Sequence, residues 1–328
     1  MPTRRRLLAH LLAAPFSIAA ARSALAQGIS RPLRIIVGFP AGGGTDIIAR
    51  LVAERLHVPF ASTVIVENRP GAAARASVDF VKNAEPDGRT LLFTPDFPIT
   101  VYPHSFRSLS YDPLRDLVAV AAAARSMQTY SIGPAVPASV RSLADFVQWC
   151  KANPGSASYA TTAAGGTPHF VGVMLANAAG LAMTPVHYRG GAPALQDLLG
   201  GHVPASINPI SETLSFARSG SLRILAVTGA KRSPFLPDVP TMREQGFDIV
   251  VEAWLGAFAP AKTPPETVRA LGAAIGDAVN APEMAASFAK FGNLPAFEPP
   301  ERFAATVAAD LARWAPVVKA SGFVAVDD

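Results

Sequence analysis

The residues best able to hold a ligand stand in four turns, each where an apolar run of strand character gives way to a segment of helical period. The first is Gly38-Phe39-Pro40-Ala41-Gly42-Gly43-Gly44-Thr45-Asp46. Backbone amides of such a loop, together with the start of the helix behind it, can jointly hold an anion. It approaches the phosphate-binding pattern GxxxxGK(S/T), with Gly38, Gly43 and Thr45 in place, but Gly44 occupies the lysine position and a nucleotide γ-phosphate would lack its cation. The spacing is not the dinucleotide GxGxxG pattern either. Taken alone, the loop reads equally well as a turn in which Thr45 or Asp46 only caps a helix.

Thr161-Thr162-Ala163-Ala164-Gly165-Gly166-Thr167-Pro168 is the second turn, with Thr167 at the cap and Pro168 at the first helical position. Tyr188-Arg189-Gly190-Gly191-Ala192 and Asn208-Pro209-Ile210-Ser211 are the others. All lie at carboxyl ends of strands, the edge at which open α/β sheets bind ligands. Together they predict a pocket rich in hydroxyls and backbone N–H groups, with little side-chain charge.

Catalytic groups are harder to find. His169 starts a helix with no serine or cysteine nucleophile identifiable beside it. His57, His104, His187 and His202 show no metal spacing. Cys150 shares a helix with Phe146 and Trp149 and reads as a small buried hydrophobe. Asp46 beside an anion site would be a poor acid, because a helix N-terminus favours its ionised form. Trp149, Trp254 and Trp314 read as core, with Trp254 worth testing as a ligand platform. No catalytic residue, metal or cofactor is implied.

The elements that must position these turns alternate as βαβ units do. Strands are expected over 33–39, 63–67 and 91–94, with a helix over 46–56 whose Ile47, Ile48, Leu51 and Val52 share a face. A second series has strands at 129–133, 158–161, 184–188, 203–207 and 222–228, and helices at 142–152, 168–178, 192–199 and 211–218. An apolar run over 250–258 then leads into long helices at 265–279 and 300–319, expected to return and cover the first sheet. The predicted fold class is α/β, two lobes joined by two crossovers near residues 125 and 250, with a cleft between them. The lobes are 27–125 with 250–328, and 126–249.

Residues 1–26 stand apart. Arg4, Arg5 and Arg6, an apolar stretch from Leu7 to Ala21 and Ala24-Leu25-Ala26 form an export signal, with cleavage expected after Ala26. The stretch is too short, and too interrupted by His10, Pro15 and Arg22, to span the ~30 Å of a bilayer core. Arg4-Arg5 fits the twin-arginine route, while the general route stays open. Without that segment's arginines, Arg4, Arg5, Arg6 and Arg22, the chain's net charge falls from +5 to +1. Nucleic-acid binding thereby loses the basic surface it requires. Cys150 is the only cysteine, so no internal disulfide forms.

The chain resembles the substrate-binding proteins of tripartite tricarboxylate transporters, the TctC or Bug family of periplasmic receptors. The resemblance is carried by the 37–46 loop followed by Ala49-Arg50, then Val66-Glu67-Asn68-Arg69-Pro70-Gly71-Ala72, Pro86-Asp87-Gly88, Tyr111-Asp112-Pro113 and Tyr188-Arg189-Gly190. It continues through Pro193-Ala194-Leu195-Gln196-Asp197-Leu198-Leu199-Gly200-Gly201, Leu222-Arg223-Ile224-Leu225-Ala226-Val227 and Leu236-Pro237-Asp238-Val239-Pro240-Thr241. It implies two Rossmann-like lobes joined by two crossovers, in the Venus-flytrap manner of periplasmic binding proteins, closing on a small carboxylate, met partly through water, which is then passed to membrane permease subunits. The residues expected to face the ligand are Phe39, Gly42, Gly43, Gly44, Thr45, Asp46, Arg75 and Thr94 from one lobe, and Thr161, Thr162, Gly165, Gly166, Thr167, Tyr188 and Asn208 from the other. Two departures touch this pocket. Ala73-Ala74-Arg75-Ala76 stands where the family continues with glycines and asparagine, so Arg75 is a candidate for a second carboxylate, and Gly166 stands where a hydroxyl residue is usual.

The expected protein is therefore a monomeric, exported carboxylate receptor with neither nucleic acid nor stable membrane insertion. Two other classes compete. A secreted serine- or threonine-based enzyme would need a paired nucleophile and base, and a two-lobed sensor would need a DNA-binding helix pair; neither is identifiable.

Overall fold

The computed structural model describes residues 31–325, so the expected export signal lies outside the described residues. Ten strands form one mixed sheet in the order β2-β1-β3-β9-β4-β7-β5-β6, with β8 and β10 also pairing β4. These are β1 Leu33–Val37, β2 Val64–Asn68, β3 Thr90–Pro95, β4 Leu117–Ile132, β5 Ser158–Thr161, β6 Thr184–His187, β7 Ala205–Pro209, β8 Arg223–Val227, β9 Glu252–Pro260 and β10 Leu294–Glu298. β1 is parallel to β2 and β3, and β5 is parallel to β6 and β7, as βαβ connections require. The returning strands run antiparallel: β9 against both β3 and β4, and β7 and β8 against β4.

β4 is the joint of the molecule. Its first part, through Met127, pairs with β9, and from Gln128 onward it pairs with β7 and β8. The sequence pattern predicts this strand only over 129–133, and Ala121-Ala122-Ala123-Ala124 carries high helix propensity. Close packing overrides that preference. A Cβ on Gly272 would lie 2.9 Å from the Val120 carbonyl oxygen, and one on Gly256 would lie 3.1 Å from that of Ala121. Small residues let the helix Pro265–Asn280 and strand β9 approach β4 this closely. The helices Arg75–Lys82 and Pro282–Ala289 and strand β10 were likewise not anticipated.

The first lobe's sheet has a core on each face. Leu33, Ile35, Val37 and Leu91 pack with Val268, Leu271 and Ile275 on one side. On the other, Ile36, Leu92, Trp254 and Phe258 pack with Phe303 and Val307. The last helix, Pro300–Ser321, does more than cover that sheet. Its Trp314 and Val318 enter the second core beside Tyr130, Phe146, Phe170 and Ile207. The chain end continues this bridge, for the Ala325 amide donates to the Ser105 carbonyl, 2.6 Å, and the Phe323 ring sits edge-on to His169.

Candidate functional site

The helix Gly44–Ala53 starts two residues earlier than the sequence indicates, with Gly43 as its cap residue and no side chain capping it. Gly42 has φ +81°, and its amide donates to Asp46 Oδ2 at 2.8 Å. Asp46 is buried and also accepts from Arg50 Nε, 3.0 Å, and Asn68 Nδ2, 2.8 Å. Burial opposes its ionisation, but these three donors together hold its carboxyl below the ordinary range. Asp46 thus braces the loop from behind. The first-turn amides of Gly44, Thr45 and Asp46 are the ones a helix start leaves without intrahelical acceptors.

A cavity of about 480 Å³ opens beside this loop. Of the residues expected to face ligand, Phe39, Gly42, Gly43, Gly44, Thr45 and Thr162 line it. Its floor is formed by Ser126 and Gln128 on β4 and Ala253 and Leu255 on β9, the strands that pass between the lobes, with Asp96 just after β3. Its walls are largely apolar, with Phe39, Phe97, Leu195, Leu199 and Phe216 among them. Besides Gly44–Ala53, the helices Thr167–Ala179, Gly191–Leu199 and Ile210–Arg218 begin at its edge, through Pro168, Gly191 and Ser211. Four helix starts on one cavity suit an anion through unpaired amides and the sum of their partial charges.

The remaining expected residues do not line the cavity, and most have other partners. Gly166, not Thr167, is the cap residue of Thr167–Ala179. Thr167 instead donates its hydroxyl to Asp96 Oδ2 across the cleft, 2.9 Å. Thr161 donates to the Ala163 carbonyl, and the Gly165 amide donates to His169 Nδ1. Thr94 is buried, with no partner for its hydroxyl. Tyr188 turns its hydroxyl to Asp197 Oδ2, 2.6 Å, so its neighbour Arg189 is the one that lines the cavity. Asn208 lies beneath the wall, accepting from Ser206 and donating to Glu212 Oε2, 3.0 Å. Arg75 is separated from the cavity by aromatic rings: its guanidinium lies 4.2 Å from the Phe106 centroid, and Phe106, Tyr102, Phe97 and Phe39 follow edge-to-face.

The expectation of little side-chain charge needs correction, because Asp96, Glu212 and Arg189 all line the cavity. Asp96 is 1% exposed, and burial pushes its carboxyl up to about 7, with Asp310 adding to the effect. Burial also raises Glu212, against the hydrogen bond from Asn208. Asp96 could have been found by extending the strand-end rule one residue past β3, and Glu212 follows directly on the fourth turn. Gln128 carried no such signal, being a polar residue inside an apolar strand. The lobes meet tightly at the rim, where a Cβ on Gly44 would stand 2.5 Å from Ser211 Oγ.

Catalytic alternatives gain nothing here. Burial, reinforced by the neighbouring His187, holds the His169 imidazole neutral down to about pH 3. Burial pushes the Cys150 thiol up to about 11. Trp254 is core, with its indole N–H donating to Asp310. Among the described residues, no group of three or more His, Cys, Asp or Glu is arranged to hold a metal ion.

Comparison with known proteins places these features in a group. Residues 48–323 match the family described as the tripartite tricarboxylate transporter family receptor. Protein BugT of Bordetella pertussis is 34% identical over 295 residues, covering 89% of this chain and 90% of its own. Among solved structures, Rpa4515 of R. palustris with adipate superposes with a TM-score of 0.85 at 29% identity, covering 91% of this chain and 99% of that one. MatC of Rhodopseudomonas palustris with bound malate gives 0.80 at 27% identity, covering 89% and 100%.

Proposed function

The chain belongs to the tripartite tricarboxylate transporter receptor family, and on that footing we propose that it captures a small carboxylate between its lobes and delivers it to membrane permease subunits. The lobes are residues 27–125 with 250–328, and residues 126–249. The observation that carries this reading is the single cavity edge at which four helix starts from both lobes converge. The glycine loop and Thr162 supply the carboxylate contacts, directly or through water. A charge-assisted hydrogen bond contributes about 1.5–3 kcal/mol. Association costs at least about 4 kcal/mol. Three or four such bonds, with apolar wall contacts, therefore support micromolar binding, about −8 kcal/mol, without any lysine in the loop.

As a receptor of a periplasmic family, the protein works outside the cytoplasmic membrane, as a monomer. Among the described residues no helix is long and apolar enough to cross a membrane. Cleavage after Ala26 releases a chain beginning at Gln27, which N-terminal sequencing of the periplasmic fraction checks. The deciding experiment is native mass spectrometry of protein purified without added ligand, followed by calorimetry with the acid identified. A retained carboxylate that is returned unchanged after incubation is the expected result. Conversion that survives repurification and disappears with one cavity substitution would make the protein an enzyme instead.

A further inference from the structure

The cavity floor carries two oxygen atoms with nothing to bond. Asp96 is 1% exposed and Gln128 3% exposed, and both line the cavity. Thr167 occupies Asp96 Oδ2, but Asp96 Oδ1 and Gln128 Oε1 have no hydrogen-bond partner. Buried polar atoms are left unpaired at a cost unless something pairs them. A carboxylate oxygen and an amide oxygen are both acceptors, so the group each of them lacks is a donor.

Charge sharpens the choice. The cavity holds Asp96 and Glu212 against Arg189 alone. A dicarboxylate would add two negative charges to that set, whereas a zwitterion adds none. A hydroxyl offers one hydrogen, but an ammonium offers three and also neutralises a buried carboxylate. The walls then ask for an apolar body, since Phe39, Phe97, Leu195, Leu199 and Phe216 surround the remaining space.

We propose that the acid captured at this site is an amino acid with an apolar side chain, its carboxylate at the helix starts and its ammonium at Asp96. This rests on the carboxylate-receptor reading above and narrows it. Asp96 is then the residue that sets specificity, and binding draws its carboxyl fully into the ionised state.

The test pairs each of leucine, isoleucine, phenylalanine and tyrosine with its deaminated acid, and adds adipate, all titrated calorimetrically into the mature protein. At least one amino acid should bind at least a hundredfold more tightly than its deaminated partner. Asp96→Asn should remove that preference while leaving the deaminated acid within a few-fold. Titration at pH 7 in two buffers of different ionisation enthalpy gives a readout that needs no variant, with net proton release expected for the amino acid. A deaminated acid or adipate that binds as well as or better than the amino acids, or proton uptake on amino-acid binding, would overturn the inference and leave the carboxylate reading standing. Failure of every acid, with and without an amine, would count against both.

Discussion

Asp96 faces opposing demands that pH separates. Its carboxyl has a pKa near 7 in the folded protein and about 4 when unfolded, so the folded state binds the extra proton between these values and this group's contribution to stability falls as pH rises from 4 to 7. His169 works the other way: it stays neutral when folded, so its contribution falls as pH drops below about 6.5. Asp96→Asn should therefore be more stable than the parent at pH 7.5, with that advantage shrinking toward pH 5 in parallel thermal melts. A pH-independent difference would show that the carboxyl does not titrate in this range. A second test concerns Ala72, Ala73 and Ala74, which all take positive φ, from 45° to 73°, a region that favours glycine. Alanine in that region costs about 1–2 kcal/mol, and Ala73 is exposed. Ala73→Gly should gain about 0.5–1 kcal/mol after glycine's extra chain entropy, raising the melting temperature by about 2 °C. At this scale the sequence made the glycine loop legible through its spacing, whereas Gln128 became visible only when the strand pairing placed it on the floor.

Between elements, the contact that matters most is Gly44 at one helix start against Ser211 at another. Adding a methyl group there either displaces the serine hydroxyl or holds the lobes apart. Gly44→Ala should weaken the ligand retained on purification by about tenfold, roughly 1.4 kcal/mol. Because alanine favours helix over glycine, the free protein should melt no lower. Ser211→Ala removes the obstructing oxygen, leaving the Cβ position 3.5 Å away, and the double variant should recover to within a few-fold. Calorimetry on the three proteins decides this, and an unchanged Gly44→Ala affinity would mean that the bound form does not use this contact. The strands β1, β5 and β8 and the helices that follow the four turns were legible because each is a short apolar run or an amphipathic segment bounded by Gly or Pro. The first three quarters of β4 was not, since its alanines carry helix propensity and it is the pairing with β9, closely approached at Gly256, that holds it as a strand. The role of Trp314 and Val318 in the second core was equally hidden, because periodicity gives a helix its buried face but not the partner that covers it.

For the molecule as a whole, the same rim contact offers a way to stop the lobes moving. A Cβ at position 44 lies 3.5 Å from that of Ser211, at the near edge of the roughly 3.5–4.5 Å span of disulfides. Gly44→Cys with Ser211→Cys should form a bridge that Cys150, buried in the second core, does not intercept. With the bridge oxidised, ligand exchange should slow by roughly a hundredfold, most of it as lost dissociation, and reductant should restore it. Exchange unaffected by oxidation would show that ligand enters without lobe separation. The pairing of β3 with β9 also has a consequence for how the protein is made. Leu92 sits beside Phe258, and the whole second lobe is spelled out between them. If the general export route is used, which threads a chain through the membrane N-terminus first, β1, β2 and β3 emerge with one edge bare until residues 252–260 have followed. Unpaired edges recruit other chains, so the interval between the emergence of Pro95 and Pro260 is the period in which this receptor is most exposed to misassembly, and slower translocation lengthens it.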